Sequence, residues 1–337
     1  MSMPVVIAHR GASGHLPEHT LAGYALAMLQ GADFIEPDLV STRDGVLVAR
    51  HENEIGGTTD VAAHEEFAAR RRTQLVDGVP VEGWFTEDFT LAELRTLRAR
   101  ERLPALRPRN ALHDGEFGIP TFDEILSLLS RVNAARRGQG LRPVGVYPET
   151  KHPSHFAGLG MALEAPLLAS LEAHADGAPV FIQSFETANL EALRTRCTHP
   201  LVQLMQVEGG PWDRNGTGRF ESYSQLATPE GLRDVARYAQ VIGVQKEMVL
   251  GVDAAGRAAP TDLVRHAHEA GLAVHAWTFR AENAFLPPPL RRGADAAAHG
   301  DLAAEIQMAA AAGIDGLFSD FPDLACEALA RSSVTKP

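Results

Sequence analysis

Two histidines, an arginine and two carboxylates recur where short apolar runs end: His9-Arg10, Glu36-Pro37-Asp38 and His51-Glu52. Such a set could hold a hard cation, grip a phosphate and move a proton. Glu36 and Asp38 stand two apart in Phe34-Ile35-Glu36-Pro37-Asp38-Leu39-Val40. Strand side chains alternate faces, so both carboxylates point the same way. Two carboxylates about 4 Å apart repel by roughly 4 kcal/mol at an effective dielectric near about 20, and a cation is the natural remedy. A third acid, Glu149, closes Val144-Gly145-Val146-Tyr147-Pro148-Glu149, with Lys151 on the same face. Three carboxylates with no cysteine nearby suit Mg²⁺ or Ca²⁺ rather than zinc.

The elements that must position these residues follow from local patterning. Asp44-Gly45 lies between two apolar runs and signals a hairpin. A two-residue turn there would set Asp38 opposite His51. Further strand-like runs are Val5–His9, Phe34–Val40, Val144–Glu149, Val180–Ser184, Leu201–Gln206, Val241–Val244, Ala273–Trp277 and Gly316–Ser319. That is the number an eight-stranded (β/α) barrel requires. Helical stretches alternate with them: Thr20–Gln30 before Gly31, Ala162–Ala175, Ala188–Arg196, Pro229–Ala239, Thr261–Ala270 and Asp301–Ala312. Thr121-Phe122-Asp123-Glu124 is a capping box that opens a helix through about Val132.

One connection is too long for such a fold. Residues 54–118 read as an insertion over the mouth of a single TIM (β/α)8-barrel domain spanning residues 1–337. It holds the basic run Arg70-Arg71-Arg72, read as a solvated face. Trp84, Phe85 and Phe89 read as its own small core, with a wall of the cleft as the alternative, and Thr90-Leu91-Ala92-Glu93 starts a helix to about Arg100.

Bulk composition excludes several classes. A chain of 337 residues, 45% hydrophobic, can bury a large core. The net charge of −12 argues against nucleic acid, and an anionic substrate would need the local positive charge of Arg10, Lys151 and a cation. Cys197 and Cys326 are too few for a disulfide framework and fit a reducing compartment. No signal peptide and no apolar stretch near about 20 residues is visible, so the expectation is a cytoplasmic chain without stable membrane insertion. A trimmed periplasmic form is the alternative.

Other polar residues take blander readings. His266 and His268 point to different helix faces. His152 and His155 read as solvent-exposed loop histidines, and Asp320 and Asp323 as structural turn residues. Pro287-Pro288-Pro289 reads as a rigid loop.

His9-Arg10-Gly11-Ala12-Ser13-Gly14, Pro17-Glu18-His19-Thr20, Glu36-x-Asp38, His51 and Tyr147-Pro148-Glu149-Thr150-Lys151 resemble the glycerophosphodiester phosphodiesterase family. The likeness continues through Gln183-Ser184-Phe185, His275-Ala276-Trp277-Thr278 and Gly316 to Asp323, in order along nearly the whole chain. It is similar to the branch containing the bacterial periplasmic enzyme. The resemblance implies a TIM barrel that hydrolyses glycerophosphodiesters to glycerol 3-phosphate and an alcohol with one bound divalent cation, Ca²⁺ or Mg²⁺. It implies Glu36, Asp38 and Glu149 as metal ligands, His9 and His51 as the acid–base pair, and Arg10 and Lys151 as phosphate contacts. Phe185 and Trp277 would meet the glycerol carbon edge, with simple packing as the alternative. The family usually has Asp after the second histidine, where this chain has Glu52. By analogy the attacker is the neighbouring glycerol hydroxyl, giving a cyclic phosphate, with direct water attack as the alternative. Lysophospholipase D-like activity, or phosphodiester binding without catalysis, are the competing functions.

Overall fold

The computed structural model describes residues 3–215, 221–252 and 258–334. The chain forms two compact units: one holds the residues up to His9, Gln30–Phe34 and those from Phe181 onward, the other Arg10–Leu29 and Ile35–Val180. Among the described residues no helix is long and apolar enough to cross a membrane.

In the first unit, six parallel strands run in the order Ile182–Ser184, Leu201–Met205, Val241–Gln245, Ala273–Phe279, Gly316–Ser319, Val5–His9. The strands Ile182–Ser184, Leu201–Met205 and Gly316–Ser319 are buried throughout, as expected where helices cover a parallel sheet. The crossovers are the helices Thr187–Arg194, Pro229–Val235, Leu263–Glu269 and Leu302–Ala311, with Pro322–Val334 after the last strand. Thr228 caps Pro229–Val235 by accepting from the Gly231 amide, and Asp301 caps Leu302–Ala311 through Ala304.

In the second unit, Asp38–Ser41 pairs in parallel with Glu149–Thr150 and antiparallel with Leu47–Ala49. Two expected strands are interrupted. Phe34–Val40 divides into Phe34–Glu36 and Asp38–Ser41 around Pro37, and Val144–Glu149 into Gly145–Val146 and Glu149–Thr150 around Tyr147-Pro148. A proline has no amide proton to give to a ladder.

The hairpin differs from expectation by one residue. Its register is Leu39↔Ala49 and Ser41↔Leu47, which carries Arg50, not His51, to the position opposite Asp38. The cause is a three-residue connection: Gly45 donates to the Thr42 carbonyl, Thr42 donates to Val46, and Gly45 takes φ +79°. This is a type I turn closed by a left-handed residue rather than a two-residue turn.

The helix Phe122–Gly138 has the expected capping box between Thr121 and Glu124 but runs past Val132. Phe122, Ile125, Leu126, Leu129 and Asn133 form its buried stripe, and no breaker intervenes before Gly138. The Asn133 amide holds both the N–H and the carbonyl of Val144, tying this helix to the strand that follows. The helix expected from Thr90 to about Arg100 stops at Leu94. Residues beyond it are drawn into extended pairing instead, with Ala99 bridging Thr59 and the Arg98 amide donating to Asp60.

Residues 54–118 carry an antiparallel hairpin, Arg72–Val76 with Val79–Gly83, besides short helical turns. Phe85 and Phe89 are fully buried, and the Trp84 indole donates to the Phe67 carbonyl. The arginine run is solvent-exposed at Arg71 and Arg72, as expected, and also covers aromatic rings: Arg70 lies over Phe67 and Phe89, Arg71 over Trp84 and Arg72 over Phe85. Each flat guanidinium finds an aromatic face supplied by the same segment.

Candidate active site

The second unit gathers most of the chemistry. Glu36, Asp38 and Glu149 are buried, and one oxygen from each lies within 4.8 Å of the others. Parallel pairing sets Asp38 beside Glu149, and the Glu149 amide donates to the Pro37 carbonyl. Burial and mutual repulsion raise Glu36 well above the ordinary carboxylate range, and burial pushes Glu149 up to about 8. Burial acts the same way on Asp38, but Lys151, His19 and His51 outweigh it and hold that carboxyl well below its usual range. Three hard oxygen donors of which two resist ionisation without a counter-charge fit a divalent cation.

Positive groups surround this cradle. The Lys151 ammonium lies 3.0 Å from Glu149 Oε1 and 3.5 Å from His51 Nε2. Arg10 contacts Asp38 Oδ2 through Nε at 3.4 Å and donates from Nη1 to Glu18 at 2.9 Å. Its backbone amide donates to Glu36 at 2.8 Å. This needs a left-handed backbone, φ +59° at Arg10 and +85° at Gly11. A Cβ at Gly11 would stand 2.8 Å from the Gly23 carbonyl carbon, so glycine after His9-Arg10 is a steric requirement.

His51 is half-buried, its side chain 24% exposed, and desolvation, Arg10 and Lys151 together lower its pKa well below the ordinary imidazole value. Its ring is neutral at neutral pH and able to accept a proton. Glu52 Oε1 lies 2.7 Å from His51 Nδ1, off the line of the ring N–H, so the contact is electrostatic rather than an aligned hydrogen bond.

Several supporting residues were not legible as such. Glu18 receives Arg102 bidentately at 2.9 and 2.6 Å, bringing a residue of the 54–118 segment to the partner of Arg10. Burial disfavours the Glu18 charge, yet Arg10 and Arg102 hold its carboxyl well below the usual range. His19 is fully buried, with Nε2 2.9 Å from Asp38 and Nδ1 2.7 Å from the Tyr24 hydroxyl. A carboxylate can only accept, so Nε2 carries the proton and Tyr24 donates to Nδ1. Arg50 is fully buried and donates to the carbonyls of Ala49, Thr58, Glu18 and His19. It is a pillar under the Glu18-His19 turn.

His152 and His155 are not the exposed loop residues expected. His155 Nε2 lies 2.9 Å from Glu87, and His152 lies between Asp77 and Glu52. The usable signal was Leu75-Val76-Asp77-Gly78-Val79, a second Asp-Gly between apolar runs.

The first unit holds the remaining expected residues. His9 ends its strand with Nδ1 2.6 Å from Asp320 Oδ1, and the other Asp320 oxygen accepts from Arg280 Nε at 2.9 Å. Asp320, read as structural in the sequence, is a partner of His9. Trp277 and Phe185 meet edge to face with centroids 5.9 Å apart, and the Trp277 indole donates to the Gly243 carbonyl. These two rings form an aromatic corner at strand ends, where barrel enzymes build their sites.

The profile of the glycerophosphoryl diester phosphodiesterase family matches residues 9–324. A glycerophosphodiester phosphodiesterase of Arabidopsis thaliana is 36% identical over 95% of this chain and 84% of its own length. One from Haemophilus influenzae is 29% identical over 96% and 89%. A solved structure from Silicibacter pomeroyi superposes with a TM-score of 0.67 at 23% identity, covering 98% of this chain and 95% of the other. An Oleispira antarctica phosphodiesterase, solved with the product sn-glycerol-3-phosphate, gives 0.63 at 20% identity, with 97% of each chain covered. The structural likeness shows the fold, the TIM barrel expected from the strand count. On the profile and the Arabidopsis relative together, this chain belongs to the glycerophosphoryl diester phosphodiesterase family.

Proposed function

We propose that this chain hydrolyses glycerophosphodiesters to glycerol 3-phosphate and an alcohol, with a divalent cation, Mg²⁺ or Ca²⁺, held by Glu36, Asp38 and Glu149. The observation that carries this reading is the buried three-carboxylate cradle with Arg10, Lys151 and a neutral His51 around it. The names of the relatives and the product bound to the Oleispira protein support the same substrate class. Bound in the cradle, the cation supplies positive charge against the charge that develops on the phosphoryl oxygens.

The protein's own groups do the rest. Arg10 and Lys151 neutralise the phosphate and favour the more highly charged transition state. His51, kept neutral by burial and by flanking cations, takes the proton of the attacking hydroxyl. His9, held by the Asp320 carboxylate, donates a proton to the departing alcohol. Water then opens the cyclic phosphate left by glycerol-hydroxyl attack, the two histidines exchanging roles, to release glycerol 3-phosphate. Trp277 and Phe185 offer carbon surface to the glycerol. Residues 54–118 wall the mouth, since Arg102 reaches Glu18 and Asp77 reaches His152. Free Cys197 and Cys326 support a reducing, cytoplasmic setting.

The test is release of glycerol 3-phosphate from glycerophosphocholine and glycerophosphoethanolamine, in EDTA and then with Mg²⁺ or Ca²⁺ restored. Metal-dependent release establishes the reaction. His9→Ala and His51→Ala should each lower turnover by roughly 10²–10⁴-fold with the fold intact. No release from well-folded, metal-loaded parent protein sinks the reading, and release from lysophospholipids alone would replace it.

A further inference from the structure

We infer that His152 and Asp77 are positioning residues for His51, acting through Glu52 and fixing that histidine to the tip of the Arg72–Gly83 hairpin. The inference rests on the phosphodiesterase reading for its kinetic consequence. Four side chains in the second unit form one line. Asp77 Oδ2 lies 2.6 Å from His152 Nδ1, and His152 Nε2 lies 2.9 Å from Glu52 Oε2. The other Glu52 oxygen lies 2.7 Å from His51 Nδ1.

Both ring nitrogens of His152 therefore face carboxylate oxygens. Carboxylates accept and do not donate, so the arrangement is satisfied when both nitrogens carry protons. A cation between two anions stands one residue after Lys151, and each carboxylate gains a charge-assisted hydrogen bond. Glu52 uses both oxygens, one for each histidine. Its side chain is 39% exposed, and without His152 it would be a long acid free to change rotamer beside His51.

The backbone on both sides supports the link. His152 sits in the left-handed region at φ +48°, ψ +47°, with Pro153 starting the next helix. For a residue other than glycine this conformation is unfavourable and persists only where surrounding contacts hold it. Asp77 and Gly78 have φ +48° and +76° between the paired residues Val76 and Val79. That is the tight primed turn that suits a twisted hairpin, and it projects Asp77 from the tip. Most of the hairpin's other residues are exposed or half-exposed, so its tip is anchored by this polar contact rather than by apolar packing. On the opposite ring edge Lys151 Nζ lies 3.5 Å from His51 Nε2. His51 is thus bracketed, with Glu52 as the adjustable side and His152–Asp77 as its stop.

The experiment uses the full-length, metal-loaded protein as the parent, His152→Asn, Asp77→Asn and the double variant. It reads kcat and KM with glycerophosphocholine, thermal stability, and the ¹⁵N shift of the His51 ring. The expected result is a kcat lowered by about 10-fold or more in His152→Asn with KM within about twofold, as for a misplaced catalytic group. Asp77→Asn should lower kcat in the same direction. The double variant should be no worse than His152→Asn alone, because the two act in one line. The His51 ¹⁵N shift should move in each. Folded variants that lose only thermal stability, with kcat and the His51 shift unchanged, would overturn the inference. If His152→Asn fails to fold, Asp77→Asn at the solvent-facing turn decides alone. A parent without turnover would defeat the functional reading, and the ¹⁵N shift would still decide the link.

Discussion

Asp320 sets Oδ1 2.6 Å from Nδ1 of His9 while its other oxygen holds the Arg280 guanidinium. The carboxylate is pinned from one side and pins the imidazole on the other, which fixes the ring orientation through Nδ1. Asp320→Asn keeps the shape and removes the charge. Turnover should fall on the order of 10²-fold, as expected when a proton-transfer group is disoriented, with melting temperature little changed. Kinetics alongside a thermal melt would check this, and full activity in a folded Asp320→Asn protein would return the residue to a turn-forming role.

His19 should control cation affinity although it contacts no substrate in the reading above. It donates to Asp38 from a fully buried ring steadied by Tyr24. Groups behind metal ligands typically contribute about 10–100-fold in affinity, so His19→Gln should weaken Mg²⁺ or Ca²⁺ binding by about that factor. Tyr24→Phe should have a smaller effect in the same direction. Calorimetric titration of cation into EDTA-stripped protein reads both, and unchanged affinity in His19→Gln would defeat the expectation.

The Asp77–His152–Glu52 contacts imply a pH dependence of stability. Burial opposes the His152 charge, but the two carboxylates raise its pKa to about 9, against about 6.5 in an unfolded chain. Because the folded value is the higher one, the stabilisation is complete below the unfolded pKa and is lost as pH rises through about 9. The whole effect is at most roughly 3 kcal/mol. Urea midpoints between pH 6 and 10 should fall for the parent and fall less for His152→Asn. Parallel slopes would remove His152 as the source.

Gly11→Ala should be costly without touching substrate. The added Cβ meets backbone at 2.8 Å in a region of positive φ, a strain of about 1–3 kcal/mol. The relief it forces would also disturb the Arg10 amide that donates to Glu36. Lower stability together with weaker cation binding is the expected signature, and a variant with parental values in both would contradict the geometry.

The clustering of the three carboxylates was legible because strand alternation puts Glu36 and Asp38 on one face whatever the register, and Glu149 ends a run of the same kind. Strand order could be followed in the same way, run by run from Val5–His9 to Gly316–Ser319. What escaped depended on contacts distant in sequence. Arg102 meets Glu18 across 84 residues, and His9 meets Asp320 across 311. No local period marks either pair. The hairpin missed by one residue because Asp44-Gly45 supports both two- and three-residue loops, and only the positive φ of Gly45 with the Thr42–Val46 pairing separates them. Of the arginines at 70–72, Arg71 and Arg72 face solvent as a charge run suggests, but the aromatic faces beneath all three guanidinium planes could not be placed from sequence.

Pro37 and Pro148 each stand immediately before a carboxylate of the cradle, and Glu36 precedes the first of them. Their rings fix φ at those corners, and the Pro37 carbonyl is held by the Glu149 amide. The acids are therefore spaced before any ion arrives, and little backbone freedom remains to be lost on binding. A cradle stiffened in this way cannot swell or contract freely to follow ionic radius. An ion held there would meet a fixed spacing, so preference between the small ion that demands near-ideal octahedral geometry and the larger, more tolerant one would be set by two residues that carry no charge at all.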